Sequence, residues 1–184
     1  MRFTPPFDEW SERGDPPHSG RGARRATPPV PITVVLAIGR ARWGSVARAR
    51  LEAERSIRIV AEVGDGPGAV AVVRANRPAV IVVDRDLSPG GALGVLPALY
   101  QVSPAARALA VTAKWDDAFA LNVVRVGGKG VMVEEMVGMH LVKAVRCLAA
   151  GETWLTRAQE AQVLAALWQL VPPGVTSSAV RLES

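Results

Sequence analysis

Short apolar runs rich in β-branched residues alternate with helical stretches through the middle of the chain. The runs are ITVVLAI, SIRIVAEV, AVIVV, ARALAVTA and GVMVEE, and they begin at positions 32, 56, 79, 106 and 130. Runs of this length between segments with helical periodicity are typical of buried parallel strands joined by helical crossovers. The pattern therefore predicts an α/β fold, with a doubly wound five-stranded parallel sheet, over residues 32–151.

The segments on either side of this domain have a different character. Residues 1–31 hold half of the chain's 14 prolines and show no hydrophobic period, which predicts an extended Pro/Arg-rich arm. In residues 152–171, Thr156 and Gln159 form a capping box ahead of an amphipathic pattern, which predicts one more helix. Residues 172–184 read as a loop-like tail.

The run AVIVV leads directly into Asp84 and then into turn residues. Such a short run indicates a central strand that is buried on both faces. Open parallel sheets bind ligands at the carboxyl ends of their strands, so Asp84 stands where a reactive group would stand. Asp84 is therefore the first candidate functional residue.

The order of these segments resembles a bacterial response-regulator receiver domain, of the subgroup that a helix-turn-helix output domain normally follows. The resemblance covers about residues 32–164 and depends on the stretches IVAEVGDG, RPAVIVVDRDL, AVTAKWDD, RVGGKGVMVEE and AVRCLAAGETWLT. It implies the flavodoxin-like strand order 2-1-3-4-5. Since the chain ends soon after residue 151, we expect the output domain to be lacking.

Receiver domains, as the resemblance implies, handle a phosphoryl group with five parts. An acidic pair binds Mg²⁺, an aspartate accepts the phosphoryl group, a hydroxyl residue and a lysine hold it, and an aromatic side chain reports the change. By this resemblance Asp84 matches the acceptor and Thr112 matches the hydroxyl residue.

The other parts of the pattern are replaced in this chain. The acidic pair falls on Ile38 and Gly39, the lysine on Glu134, the aromatic on Val131, and a usual proline on Ser88. Isoleucine and glycine side chains offer no oxygen to Mg²⁺, and a glutamate repels phosphate where a lysine would attract it. We therefore expect a degenerate pseudo-receiver with no catalysis, no cofactor and no bound metal.

Two interpretations of Asp84 follow from this loss. In the first, Asp84 serves as a hydrogen-bond acceptor at the strand end, paired with Arg40 or Arg85. In the second, Asp84, Asp86 and Glu134 rebuild a different metal or phosphate site.

Aromatic and basic residues outside the pocket are candidates for binding a partner protein. In the arm they are Phe3, Phe7, Trp10, Arg21, Arg24 and Arg25. Trp115, in the loop after Thr112, and Trp168, in the last helical pattern, are two more, because aromatic side chains dominate interface energetics. The arm could equally be a compositionally biased tail, and Trp115 could fold back onto the domain.

The leading functional hypothesis is a non-catalytic subunit of a larger assembly that acts through protein–protein contacts. The net charge of +5 favours acidic partners, including an anionic membrane surface if the assembly is a membrane complex. The alternative is an atypical response regulator in signal transduction or transcription, with or without phosphorylation at Asp84. Because only Arg157 and Arg181 are basic after Gly151, we expect no direct nucleic acid binding. No signal peptide or membrane-spanning run is visible, so we expect a cytoplasmic location.

Overall fold

The computed structural model describes residues 30–39, 42–156, 160, 161 and 165. The strands are β1 (Ile32–Ala37), β2 (Ile57–Val63), β3 (Val80–Asp84), β4 (Arg107–Thr112) and β5 (Gly130–Val133). The helices are α1 (Gly44–Glu52), α2 (Gly66–Asn76), α3 (Gly91–Val102), α4 (Asp117–Arg125) and α5 (Glu134–Ala149). Most of the predicted arm, the tail and Trp168 lie outside the described residues.

The five strands form one parallel sheet in the order β2-β1-β3-β4-β5. This order confirms the predicted fold class. The pairing of β1 with β2 shifts register between Val34 and Val35, whereas the other pairings are regular. Because all strands run the same way, the carboxyl ends of β1, β3, β4 and β5 meet at one edge of the sheet.

Every residue of β3 is buried, as expected for a central strand covered on both faces. Alternate side chains enter two separate cores: Val80 and Val82 face α1 and α5, while Ile81 and Val83 face α2, α3 and α4. We call these the first and second core. Helices therefore cover both faces of β3, and Asp84 lies at its carboxyl end.

The end of β5 differs most from the sequence prediction. The run GVMVEE was predicted to be strand throughout, which is wrong at its end, because β5 stops at Val133 and α5 begins at Glu134. Glu134 and Glu135 therefore occupy the first turn of a helix, where negative charge is favourable. The predicted capping box cannot be assessed, since Gln159 lies outside the described residues.

After α5 the chain returns to the edge of the sheet. Trp154 is buried in the first core, and its backbone N–H donates to the carbonyl of Lys129 at 2.8 Å. Glu160, Ala161 and Ala165 are helical, and the hydroxyl of Thr153 donates to the carboxylate of Glu160. Among the described residues, no helix is long and apolar enough to span a membrane.

Candidate functional site at the carboxyl edge of the sheet

The carboxyl edge of the sheet collects the residues that the sequence pointed to. Asp84 ends β3, Thr112 ends β4, and Glu134 follows β5 directly. Glu134 lies near enough to Asp84 for the two charges to interact, since the charges of Asp84 and Asp86 both help to raise its pKa. The three strand ends thus form one pocket, which we call the Asp84 pocket.

Asp84 is a buried carboxyl group, with 5% of its surface exposed. Burial raises its pKa above the ordinary aspartate value, and the nearby charge of Asp86 adds to the effect. Hydrogen bonds from the backbone N–H groups of Asp86, at 3.1 Å, and of Gly39 partly offset the rise. Within the described ranges Asp84 forms no ion pair.

The residues at the end of β1 offer nothing to a metal ion. An ideal Cβ atom built on Gly39 would lie 3.9 Å from Oδ2 of Asp84, so Gly39 borders the carboxylate but brings no side chain. Ile38 packs against the first core, with its Cγ2 3.2 Å from an ideal Cβ atom on Gly44. Mg²⁺ requires oxygen ligands in near-octahedral geometry. The side chains present here do not fit it.

Glu134 closes the pocket with a third carboxylate in place of a cation. Its pKa is raised first by burial and then by the charges of Asp84 and Asp86. In the part of the chain that the structure describes, no group of three His, Cys, Asp or Glu side chains is arranged to hold a metal ion. The alternative of a rebuilt metal site at Asp84, Asp86 and Glu134 therefore has no support in the geometry.

Arg85 turns away from its neighbour Asp84 and contacts the end of β4. Its Nη1 lies 3.4 Å from Oγ1 of Thr112, and its Nη2 lies 3.1 Å from Oδ2 of Asp116. The guanidinium carbon also sits 4.3 Å from the centre of the Phe119 ring. The expected pairing of Asp84 with Arg85 is thus wrong, because Asp116 takes that guanidinium. Arg40, the other expected partner, lies outside the described residues.

The hydroxyl of Thr112 is fully engaged within the pocket. Thr112 is 2% exposed, and its Oγ1 donates to the backbone carbonyl of Lys114 at 3.0 Å. Asp116 ties down the start of α4, since its Oδ1 accepts from the backbone N–H of Phe119 at 3.1 Å. That bond, followed by the bond from Arg85, lowers the pKa of Asp116.

Comparisons with known proteins find relatives of this chain. The chain is 32% identical over 117 residues to the DNA-binding transcriptional activator DevR/DosR of Mycobacterium tuberculosis, a match that covers 64% of this chain and 54% of that protein. It is 27% identical over 105 residues to the transcriptional regulatory protein DegU of Brevibacillus brevis, covering 57% of this chain and 44% of that protein. No protein-family model matches the chain.

Solved structures agree in fold. A two-component response regulator of the LuxR family from Aurantimonas superposes with a TM-score of 0.66 at 22% identity, covering 75% of this chain and 99% of that chain. The receiver domain of the putative response regulator NarL from Mycobacterium tuberculosis gives a TM-score of 0.64 at 22% identity, covering 67% and 100%. The α/β domain is similar to response-regulator receiver domains in sequence and in fold, and we call it the receiver domain.

The chain spans about half the length of the curated relatives that it matches. Those relatives carry names of transcriptional and oxygen regulators. The similarity covers only that part of the relatives, so it does not extend to the functions of the whole proteins.

Three further positions of the receiver domain can be placed in the structure. Val131, at the aromatic position, is buried in the second core and carries no group that could report a change at Thr112. The carbonyl of Ser88 accepts from the N–H of Gly66 at 2.8 Å. Trp115 is half-buried against the second core, and its Nε1 donates to Oδ1 of Asp117 at 2.7 Å.

The other candidate partner-binding residues lie outside the described part of the chain, and their roles stay predictions. They are Phe3, Phe7, Trp10, Arg21, Arg24, Arg25 and Trp168. Sequence reasoning missed Asp116 and Phe119 as members of the site. One signal was available: Asp116 precedes Phe119 by three positions, which is the spacing of a helix cap.

Proposed function

We propose that this receiver domain works in response-regulator signalling without Mg²⁺-dependent phosphorylation of Asp84. One observation carries the proposal: the side of the Asp84 pocket that would hold the metal is bordered by Gly39, whose missing side chain leaves Asp84 without a metal-binding neighbour. The domain would then act by presenting a surface to a partner protein, with no catalysis of its own.

Electrostatics in the pocket support this proposal. A phosphoryl group on Asp84 would add negative charge beside Asp86 and Glu134, whose negative charges already repel each other. Two unit charges about 4 Å apart interact by about 4 kcal/mol at an effective dielectric of about 20, before screening by salt. Arg85 lies at Thr112, but Asp116 already pairs with its charge. The pocket therefore opposes the charge that phosphorylation brings.

Transcription is the output that we propose, because the curated relatives are named as transcriptional regulators. The expectation of no direct contact with nucleic acid has no support among relatives of this type, and it is not part of the proposal. The comparisons also favour the signalling alternative over the expected subunit of a membrane complex. A cytoplasmic location and contact with an anionic membrane surface stay predictions.

Intact-mass spectrometry after incubation with a small phosphodonor and Mg²⁺ tests the proposal. We expect no adduct on the full wild-type chain, since no described residue of the Asp84 pocket neutralises the incoming phosphate. The variant Gly39→Asp/Glu134→Lys, which restores one carboxylate and the cation, serves as the matched comparison. A stoichiometric, Mg²⁺-dependent adduct on the wild-type chain that Asp84→Asn abolishes would overturn the proposal.

A further inference from the structure

Arg85 joins three groups that belong to the end of β4 and the start of α4. Its guanidinium contacts the hydroxyl of Thr112 at 3.4 Å, the carboxylate of Asp116 at 3.1 Å and the ring of Phe119 at 4.3 Å. We call these four residues the Arg85 clamp. A planar guanidinium suits such a site because it can donate two hydrogen bonds and stack on a ring at once.

The clamp leaves the Thr112 hydroxyl in a single arrangement. Its proton points to the carbonyl of Lys114 at 3.0 Å, and its lone pair faces Arg85. Asp116 divides its two oxygens between Arg85 and the backbone N–H of Phe119, so the same carboxylate that starts α4 also holds the arginine. Between these anchors, residues 113–116 have both ends fixed.

We propose that Arg85 is a positioning residue that holds Thr112 and the amino end of α4 in one arrangement without any phosphoryl group. The inference rests on the proposed function and deepens it. It identifies Arg85 as the residue that fixes the conformation of the surface to which a partner protein would bind. Arg85, the residue after Asp84, places a positive charge next to Thr112. No residue of β5 places one there. The arrangement is then permanent in the free chain.

Hydrogen exchange at the amides of Phe119 and Ala120 in the full chain tests this role. Both amides are held by Asp116, one by its Oδ1 and the other by its backbone carbonyl at 2.9 Å. The variant Arg85→Ala removes the guanidinium, and Asp116→Asn removes the charge while keeping an oxygen that can cap α4. We expect about fivefold faster exchange at these amides in both variants, as for loss of a half-exposed ion pair with a cation–π contact.

Amides in α2 serve as the internal reference for global stability, so exchange at α4 is read as its ratio to exchange at α2. The control variant Asp86→Asn also replaces an aspartate by asparagine next to Arg85, but Asp86 is not part of the Arg85 clamp. Its ratio of α4 exchange to α2 exchange should equal that of the wild type. The double variant Arg85→Ala/Asp116→Asn should exchange no faster than Arg85→Ala, since the arginine substitution alone already breaks the ion pair with Asp116. Arg85→Lys keeps the positive charge but loses the planar guanidinium group. Its α4 exchange rate should fall between those of the wild type and Arg85→Ala.

Salt gives a second test that needs no mutation. Raising NaCl from about 0.05 M to about 1 M should speed α4 exchange in the wild type and leave Arg85→Ala unchanged, because only the wild type has the ion pair to screen. An unchanged α4-to-α2 ratio in both Arg85→Ala and Asp116→Asn would overturn the inference. A phosphoryl adduct on Asp84 together with intact clamp behaviour would overturn the proposed function alone.

Discussion

Asp84 carries a charge in surroundings that disfavour it. Its carboxyl is buried at the end of the central strand, and Asp86 and Glu134 surround it with charge of the same sign. Burial costs the charged form of a carboxyl more than the neutral form, which is why its pKa is raised. A group held at such cost contributes nothing to packing that a neutral side chain of the same shape could not contribute.

The substitution Asp84→Asn should therefore stabilise the domain at neutral pH. The folded-state pKa of Asp84 lies above its ordinary value, so the folded chain binds more protons than the unfolded chain between those two values. Stability contributed by this group thus falls as pH rises through that window, and asparagine removes the loss. We expect a gain of about 1 kcal/mol, or about 3 °C in Tm, at neutral pH.

Thermal unfolding followed by circular dichroism at neutral and acidic pH measures this effect. The gain should shrink as pH falls through the raised pKa of Asp84 and vanish below the ordinary aspartate pKa, where Asp84 is protonated in both states. Glu135→Gln is the matched control, since Glu135 is exposed, although it directly follows Glu134, and should show no such gain. A variant Asp84→Asn that is less stable than wild type at neutral pH would contradict this account of Asp84.

At the scale of elements, the strands followed from the sequence because each is a short β-branched run with turn residues on both sides. The end of β5 could not be predicted from the sequence. Glu134 and Glu135 follow the run GVMV directly, and no helix-capping residue separates the strand from α5. The Arg85 clamp could not be predicted either, since it depends on which way one side chain turns across two strands. Residue spacing indicates that Arg85 is near Asp84 but not that it pairs with Asp116.

Two glycines that follow β3 tolerate a side chain to very different degrees, and one of them packs against the backbone of Arg85. Gly91 has a φ of 66°, and an ideal Cβ atom there would lie 2.5 Å from the carbonyl oxygen of Arg85. Gly94 lies inside α3, with nothing within 4 Å of its ideal Cβ atom. Gly91→Ala should therefore cost about 2 kcal/mol, whereas Gly94→Ala should add roughly 0.5–1 kcal/mol of stability.

Urea unfolding of the two alanine variants checks this pair, and each is the control for the other because the chemical change is identical. In Gly91→Ala the carbonyl of Arg85 must also move, so we expect faster exchange at Phe119 as a second effect. Equal stability of the two variants would mean that the turn is not held as described.

At the scale of the whole molecule, the described core is complete without the arm. Both cores are filled by described residues between Ile32 and Trp154. We therefore predict that deleting residues 1–31 leaves the Tm of the receiver domain within about 2 °C of wild type, and that it removes the chain from its partner complex. Thermal unfolding and copurification from the native cell measure the two effects.

Two sets of substitutions separate the contributions of aromatic and basic side chains of the arm to partner binding. One replaces the apolar anchors and the other the arginines, each with alanine: Phe3, Phe7 and Trp10 in the first set, Arg21, Arg24 and Arg25 in the second. Buried aromatic anchors usually carry more binding energy than rim charges, so we expect the first set to weaken copurification more. Full assembly of the truncated chain would mean that the partner binds the receiver domain itself.

Titration of Mg²⁺ into the full chain, followed by the backbone amide NMR signals of Gly39, Asp84 and Asp86, tests the central claim most directly. Because Gly39 brings no carboxylate to Asp84, the wild-type signals should show no saturable shift at millimolar Mg²⁺. The variant Gly39→Asp should show one, since an ideal Cβ atom there makes only ordinary contacts, 3.7 Å from the carbonyl oxygen of Gly64 and 3.9 Å from Oδ2 of Asp84, and brings a carboxylate next to Asp84. Saturable Mg²⁺ binding by the wild type that Asp84→Asn abolishes would contradict the account.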